Sequence, residues 1–96
     1  MEILLWMDSK NYQKVRELLL RDEVVSLASL TFKEAKDFGK EGYYCLISGL
    51  EQQCKKALEI VKNQAKEVSG EEKENFIKKI KEEENKAIEG FGSILG

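Results

Sequence analysis

Tyr43-Tyr44-Cys45-Leu46-Ile47-Ser48-Gly49-Leu50-Glu51-Gln52-Gln53-Cys54-Lys55-Lys56-Ala57-Leu58-Glu59-Ile60-Val61-Lys62-Asn63-Gln64-Ala65-Lys66-Glu67-Val68 is the stretch on which the reading of the fold turns. Taken in alternating steps of four and three, it puts Tyr43, Ile47, Leu50, Cys54, Ala57 and Val61 on one line, misses at Gln64 and resumes at Val68. That spacing predicts a single helix from Tyr43 to Val68 with one apolar seam facing partner helices. At about 1.5 Å per residue it would be close to 40 Å long.

Upstream, the link Gly39-Lys40-Glu41-Gly42 is too short for anything but a tight reversal. It predicts an antiparallel hairpin with a preceding helix that starts after Asp22 and ends at Phe38, with Gly39 as its terminating residue. Val24, Val25, Leu27, Ala28, Thr31, Phe32, Ala35 and Phe38 would give that helix a wide apolar arc. Before it, Asp8 or Ser9 caps a helix running to Leu20, with Tyr12, Val15, Leu18 and Leu19 on one face and Ile3 to Met7 as its backward extension. Downstream, Ser69-Gly70-Glu71-Glu72 spells a capping box, so a fourth helix begins at Ser69. Phe76, Ile77, Ile80, Ala87 and Ile88 form its apolar side, Glu74/Lys78 and Glu82/Lys86 its exposed pairs, and Gly90 its end. The tail Phe91-Gly92-Ser93-Ile94-Leu95-Gly96 either folds back on the body or docks on another chain. The expected fold is therefore all-α, an antiparallel bundle of about four helices with a long third helix, in one domain spanning residues 1–96.

Composition narrows the functions available. Charged residues are 35% of the chain with both signs interspersed, and the net charge of -2 gives no field that favours nucleic acid or an anionic membrane. Only three of the 18 acids are Asp and two of the 16 bases Arg, a Glu and Lys bias that suits helix faces and also occurs in heat-adapted proteins. No apolar run approaches the roughly 20 residues of a membrane span. Met1 to Met7 lacks the basic leader and cleavage site of an export signal. With two cysteines, these features predict a reducing, cytoplasmic setting. Cys45 and Cys54 are nine positions apart, on opposite faces of the predicted helix: Cys54 on the seam, Cys45 packed elsewhere or open to a second chain.

The chain has no His, which removes triad and dyad nucleophile chemistry and imidazole acid–base work. Two separated cysteines supply no zinc site, and the Glu-x-x-His pattern of bundle-borne di-iron centres is missing. Gly39 and Gly42 lack phosphate-loop spacing. Glu51, Glu59, Glu67 and Glu82 to Glu84 all fall on polar arcs, which argues against paired carboxylates with separated pKa values. Of the aromatics, Tyr43 and Tyr44 divide between core and rim. Trp6, in an apolar N-terminal run, is the residue type that often anchors an interface.

The segment Ala35-Lys36-Asp37-Phe38-Gly39-Lys40-Glu41-Gly42-Tyr43-Tyr44, followed by Leu50-Glu51-Gln52-Gln53-Cys54-Lys55-Lys56-Ala57-Leu58-Glu59, resembles the central hairpin of HEPN domains. The resemblance implies an antiparallel helical bundle, usually dimeric, of the kind found in toxin–antitoxin systems and beside minimal nucleotidyltransferases. Ribonuclease members of that family place a His shortly after an Arg. Neither Arg16 nor Arg21 is so followed, and no catalytic residue is carried over.

The sequence thus predicts a non-enzymatic, all-helical protein-interaction or oligomerisation module, a homodimer or the binder of another protein, without cofactor, metal, small-molecule substrate or membrane attachment. The alternative is a non-catalytic HEPN-like accessory subunit of a nucleotidyltransferase or nucleic-acid enzyme. Surplus apolar residues nominate Leu4, Leu5, Trp6, Tyr44, Cys45, Phe91, Ile94 and Leu95 as the interface.

Overall fold

Ile3 to Met7 and Tyr43 to Ile47 are five-residue apolar runs, and a run of that length without a polar member is what a strand buried on both faces requires. In the computed structural model, which describes residues 1–95 with side chains through Glu84, both runs are central strands of a four-stranded antiparallel sheet. The elements follow in the order β1 (Glu2–Met7), α1 (Ser9–Arg21), β2 (Ser29–Glu34), β3 (Tyr43–Ser48), α2 (Glu51–Val61), β4 (Lys66–Val68) and α3 (Glu71–Leu95). Short 3₁₀ turns at Val25–Leu27 and Ala35–Phe38 flank β2. The spatial strand order is β2-β3-β1-β4, so β3 lies between β1 and β2, and β1 lies between β3 and β4. Two interlocked split β-α-β units give this order, which is the ferredoxin-like connectivity, with α3 added at its end.

The all-α bundle is therefore corrected to a mixed α/β fold. The predicted helix from Tyr43 to Val68 divides into β3, α2 and β4, and the predicted helix from Asp22 to Phe38 into two 3₁₀ turns around β2. Gly49 and Leu50 part β3 from α2, where the Gln53 side chain accepts a hydrogen bond from the Leu50 N–H at 2.8 Å. Asp22 does cap, but it caps a single turn: its carboxylate accepts from the N–H groups of Val24 and Val25, each at 2.9 Å. The segment that resembles the HEPN hairpin reverses direction as predicted, yet it joins two strands instead of two helices. Of the first predicted helix, Ser9 onward forms α1 with Asp8 as its cap, while Ile3 to Met7 belong to β1. The fourth helix is present as α3, and Gly90 lies within its span.

The sheet separates two apolar layers. Ile3, Leu5, Met7, Cys45 and Ile47 meet Val15 and Leu19 of α1 and Cys54, Ala57 and Val61 of α2 on one side. Leu4, Tyr44, Leu46 and Val68 meet Phe76 and Ile80 of α3 on the other. Alternation along the strands produces this division, since successive side chains point to opposite faces. Cys45 and Cys54 consequently share one layer, both free and both buried, where a single helix would have put them on opposite faces.

Candidate interaction site at an open sheet edge

An antiparallel sheet has two outer strands whose free N–H and C=O groups must be guarded or used. β4 is guarded by brevity and charge, being three residues long with Lys66 and Glu67 exposed. β2 is twice that length, contains neither Pro nor Gly, and carries its residues from Leu30 to Lys33 half-buried. Its backbone polarity follows from the register. Ala35 N–H donates to the Gly42 carbonyl at 2.9 Å, which continues the β2–β3 ladder by one pair. Hydrogen-bonded pairs alternate with non-bonded ones in such a ladder, so Ser29, Thr31 and Lys33 bond to β3, while Leu30, Phe32 and Glu34 aim their N–H and C=O outward.

Side chains of β2 alternate as the sheet demands. Leu30 and Phe32 pack on the α1/α2 layer, and Thr31 and Lys33 lie opposite Leu46 and Tyr44 on the α3 side. Lys33 reaches Glu83 of α3 at 3.1 Å. Where β2 ends, an open cleft of about 440 Å³ is lined by Tyr12, Phe32, Tyr43, Lys33, Glu34 and Lys36. The Tyr12 ring stacks on Tyr43 with centroids 3.9 Å apart and meets Phe32 edge-on at 5.9 Å. The Lys36 ammonium donates a hydrogen bond to the Glu34 carboxylate, 3.1 Å away, which raises the Lys36 pKa. A second cleft of about 410 Å³ shares Glu34, Lys36 and Tyr43 and adds Trp6, Asp8 and Ser9. Just before β2, Leu27 is 80% exposed, the most exposed large apolar side chain among the described residues.

The residues nominated from sequence fall elsewhere. Leu4, Leu5, Tyr44 and Cys45 are each no more than 1% exposed and are covered by other parts of the same chain. Trp6 is half-buried and tied down: its indole N–H donates to the Glu41 carbonyl at 2.7 Å, and the Lys40 ammonium lies 4.8 Å above its ring. The side chains of Phe91, Ile94 and Leu95 lie outside the described residues. Thr31, Phe32 and Lys33 were not nominated. The signal for them is the period-two alternation Leu30-Thr31-Phe32-Lys33, which the wider helical arc of Val24 to Phe38 obscures.

Titratable groups give the layers their chemistry. The Tyr44 hydroxyl donates to the Glu72 carboxylate, which Lys40 also meets at 3.2 Å. Burial, reinforced by Glu72, raises the Tyr44 pKa, and the Tyr44 hydrogen bond, with help from Lys40, lowers that of Glu72. Burial alone pushes the Cys45 thiol up to about 12, and burial likewise raises that of Cys54. Both sulfurs are therefore poor nucleophiles near neutral pH. Among the described residues, no group of three Cys, Asp or Glu side chains is placed to hold a metal ion, and no helix is long and apolar enough to cross a membrane. The chain matches no protein-family model, no curated protein and no solved structure.

Proposed function

We propose that this chain is a non-enzymatic protein-interaction module that adds an extended strand of a protein to its sheet along β2. The observation that carries this reading is the six-residue outer strand whose backbone groups at Leu30, Phe32 and Glu34 face away from β3, ending in an aromatic cleft. Strand addition uses such an edge for affinity through main-chain hydrogen bonds and uses adjacent pockets to choose side chains. The buried, protonated thiols and the placement of carboxylates in exposed ion pairs favour binding over catalysis.

A photo-crosslinking residue introduced at Thr31, compared with one at Lys55 on the exposed side of α2, tests the reading in cells that make the protein. Crosslinks to protein from position 31 and not from position 55 are expected. Equal yields from both positions, or none from position 31, would overturn it.

A further inference from the structure

We infer that the strand received by β2 is β2 of a second copy of this chain, paired antiparallel about a two-fold axis through Thr31; this rests on the reading of the β2 edge just given. Three observations point to self-pairing over pairing with an unrelated strand.

The first is register. Only residues with outward backbone groups can form hydrogen-bonded pairs across the new ladder, and on β2 these are Leu30, Phe32 and Glu34. An axis through Thr31 sets Leu30 opposite Phe32 of the second copy, twice, as hydrogen-bonded pairs with two apolar side chains meeting on one face. Thr31 then faces its own counterpart, and Lys33 faces Ser29. An axis through Phe32 would instead place Leu30 opposite the Glu34 carboxylate. Cross-strand pairs of apolar side chains stabilise a ladder, and the Thr31 axis opposes no like charges.

The second is the direction of the helices. A two-fold axis perpendicular to the sheet keeps α1 and α2 of both copies on one face and both α3 helices on the other. The result is a continuous sheet of eight strands, twice the four of one chain. The unguarded edges disappear, leaving only the short β4 strands at the outside.

The third is the length of α3. Its 25 residues, at about 1.5 Å each, span about 37 Å. The strands beneath have six residues at most, or about 20 Å. Lys73 contacts the Glu2 carbonyl of β1, Lys79 the Asp37 carbonyl, and Glu83 the Lys33 ammonium of β2. The helix therefore travels from β1 toward the outer strand, and its span from Glu84 to Leu95 continues about 18 Å past Glu83. In the paired arrangement that span runs over the sheet of the second copy. The sequence there reads Ala87, Ile88, Phe91 and Leu95, apolar at helical spacing. A six-residue ladder alone falls short of the roughly 800 Å² per partner of a standard interface, and a crossing helix supplies the remainder.

The test uses the full-length chain. Multi-angle light scattering at micromolar concentration is expected to give twice the chain mass. Thr31→Cys is expected to form a disulfide-linked dimer on mild oxidation, because a non-hydrogen-bonded pair brings Cα atoms to about 4.5 Å, within disulfide reach. The wild-type protein and Lys55→Cys, treated alike, should remain unlinked. Thr31→Lys, which opposes two ammonium groups on the axis, should give a monomer with unchanged circular dichroism. A wild-type monomer, or a Thr31→Cys protein that links no faster than Lys55→Cys, would overturn the inference. If the photo-crosslinker at Thr31 captured only a different chain, the second-copy inference would fall while the edge reading stood.

Discussion

Gly39 and Gly42 bracket the turn into β3 with φ of 72° and 92°, a region that costs an L-residue about 1–2 kcal/mol. They differ in surroundings. A Cβ on Gly39 meets open space, whereas one on Gly42 runs into the Met7 carbonyl and comes within 3.0 Å of the Trp6 ring. Gly39→Ala should therefore cost about 1 kcal/mol, and Gly42→Ala about 3 kcal/mol because the backbone of β1 must also shift. Urea denaturation of the two variants checks the order.

Titration at Tyr44 and Cys45 belongs to the same scale. Both have folded pKa values above their ordinary ones of 10.0 and 9.0, so the stability they lend is complete below those values and drains away as pH rises through the folded pKa. Glu72 has the opposite sign: its lowered pKa stabilises above the ordinary 4.5 and is lost on acidification. Above pH 10 each buried group can lower the unfolding free energy by up to about 1.4 kcal/mol per pH unit. Tyr44→Phe should lose about 1–2 kcal/mol at pH 7 with the hydrogen bond to a charged acceptor, and show a shallower decline than wild type between pH 10 and 12. Denaturant midpoints across that range decide the matter.

Among the elements, α3 is seated, within its described side chains, by Phe76 and Ile80 with Ile77 beside them. Phe76 is fully buried and stacks on Phe38 with centroids 5.0 Å apart, and Ile80 is 8% exposed. Phe76→Ala should cost about 3–5 kcal/mol and uncover the α3 face of the sheet, detectable as binding of a hydrophobic dye at concentrations of urea where the wild type binds none. Ala57→Gly on α2 should cost about 2 kcal/mol, about half from helix propensity and half from the buried methyl it removes, and provides the comparison.

Element type was legible where the pattern had one solution. Tyr12, Val15 and Leu19 recur at helical spacing behind the Asp8 cap, and α1 is there; Phe76 and Ile80 do the same for α3. In the decisive stretch the helical seam used Tyr43 and Ile47 and passed over Tyr44, Cys45 and Leu46 between them. Those three are also apolar, and a run apolar at every position fits a strand buried on both faces as well as a helix. The segment Glu51 to Val61 is a true helix, so a correct period in the middle of the stretch makes the same period look genuine at its start. The β2 site escaped for a related reason, because exposure of a backbone edge depends on which strands lie beside it and leaves no trace in its own side chains beyond alternation.

Across the molecule, the described residues place two apolar layers inside and their ion pairs outside, apart from Lys56–Asp22, whose carboxylate is largely buried. The ion pairs Lys33–Glu83, Lys36–Glu34, Lys40–Glu72 and Lys55–Glu51 all join substantially exposed side chains. Exposed pairs contribute at most about 1 kcal/mol each and are screened over about 10 Å at 0.1 M salt. Raising sodium chloride from about 0.05 to about 0.5 M should therefore move the melting temperature by no more than about 4–8 °C, the equivalent of about 1 kcal/mol for a domain of this size, as differential scanning calorimetry would record.

The position of β1 and β3 carries one more consequence. Each is flanked by strands on both sides, and each has an oily slab above and below it, with Ile3, Leu4, Leu5, Met7, Tyr44, Cys45 and Ile47 no more than 1% exposed. Solvent cannot reach those peptide planes by fraying of either helical layer alone. Their amide protons should be the last to trade for deuterium, at a rate set by global opening, while the ends of the helices trade early.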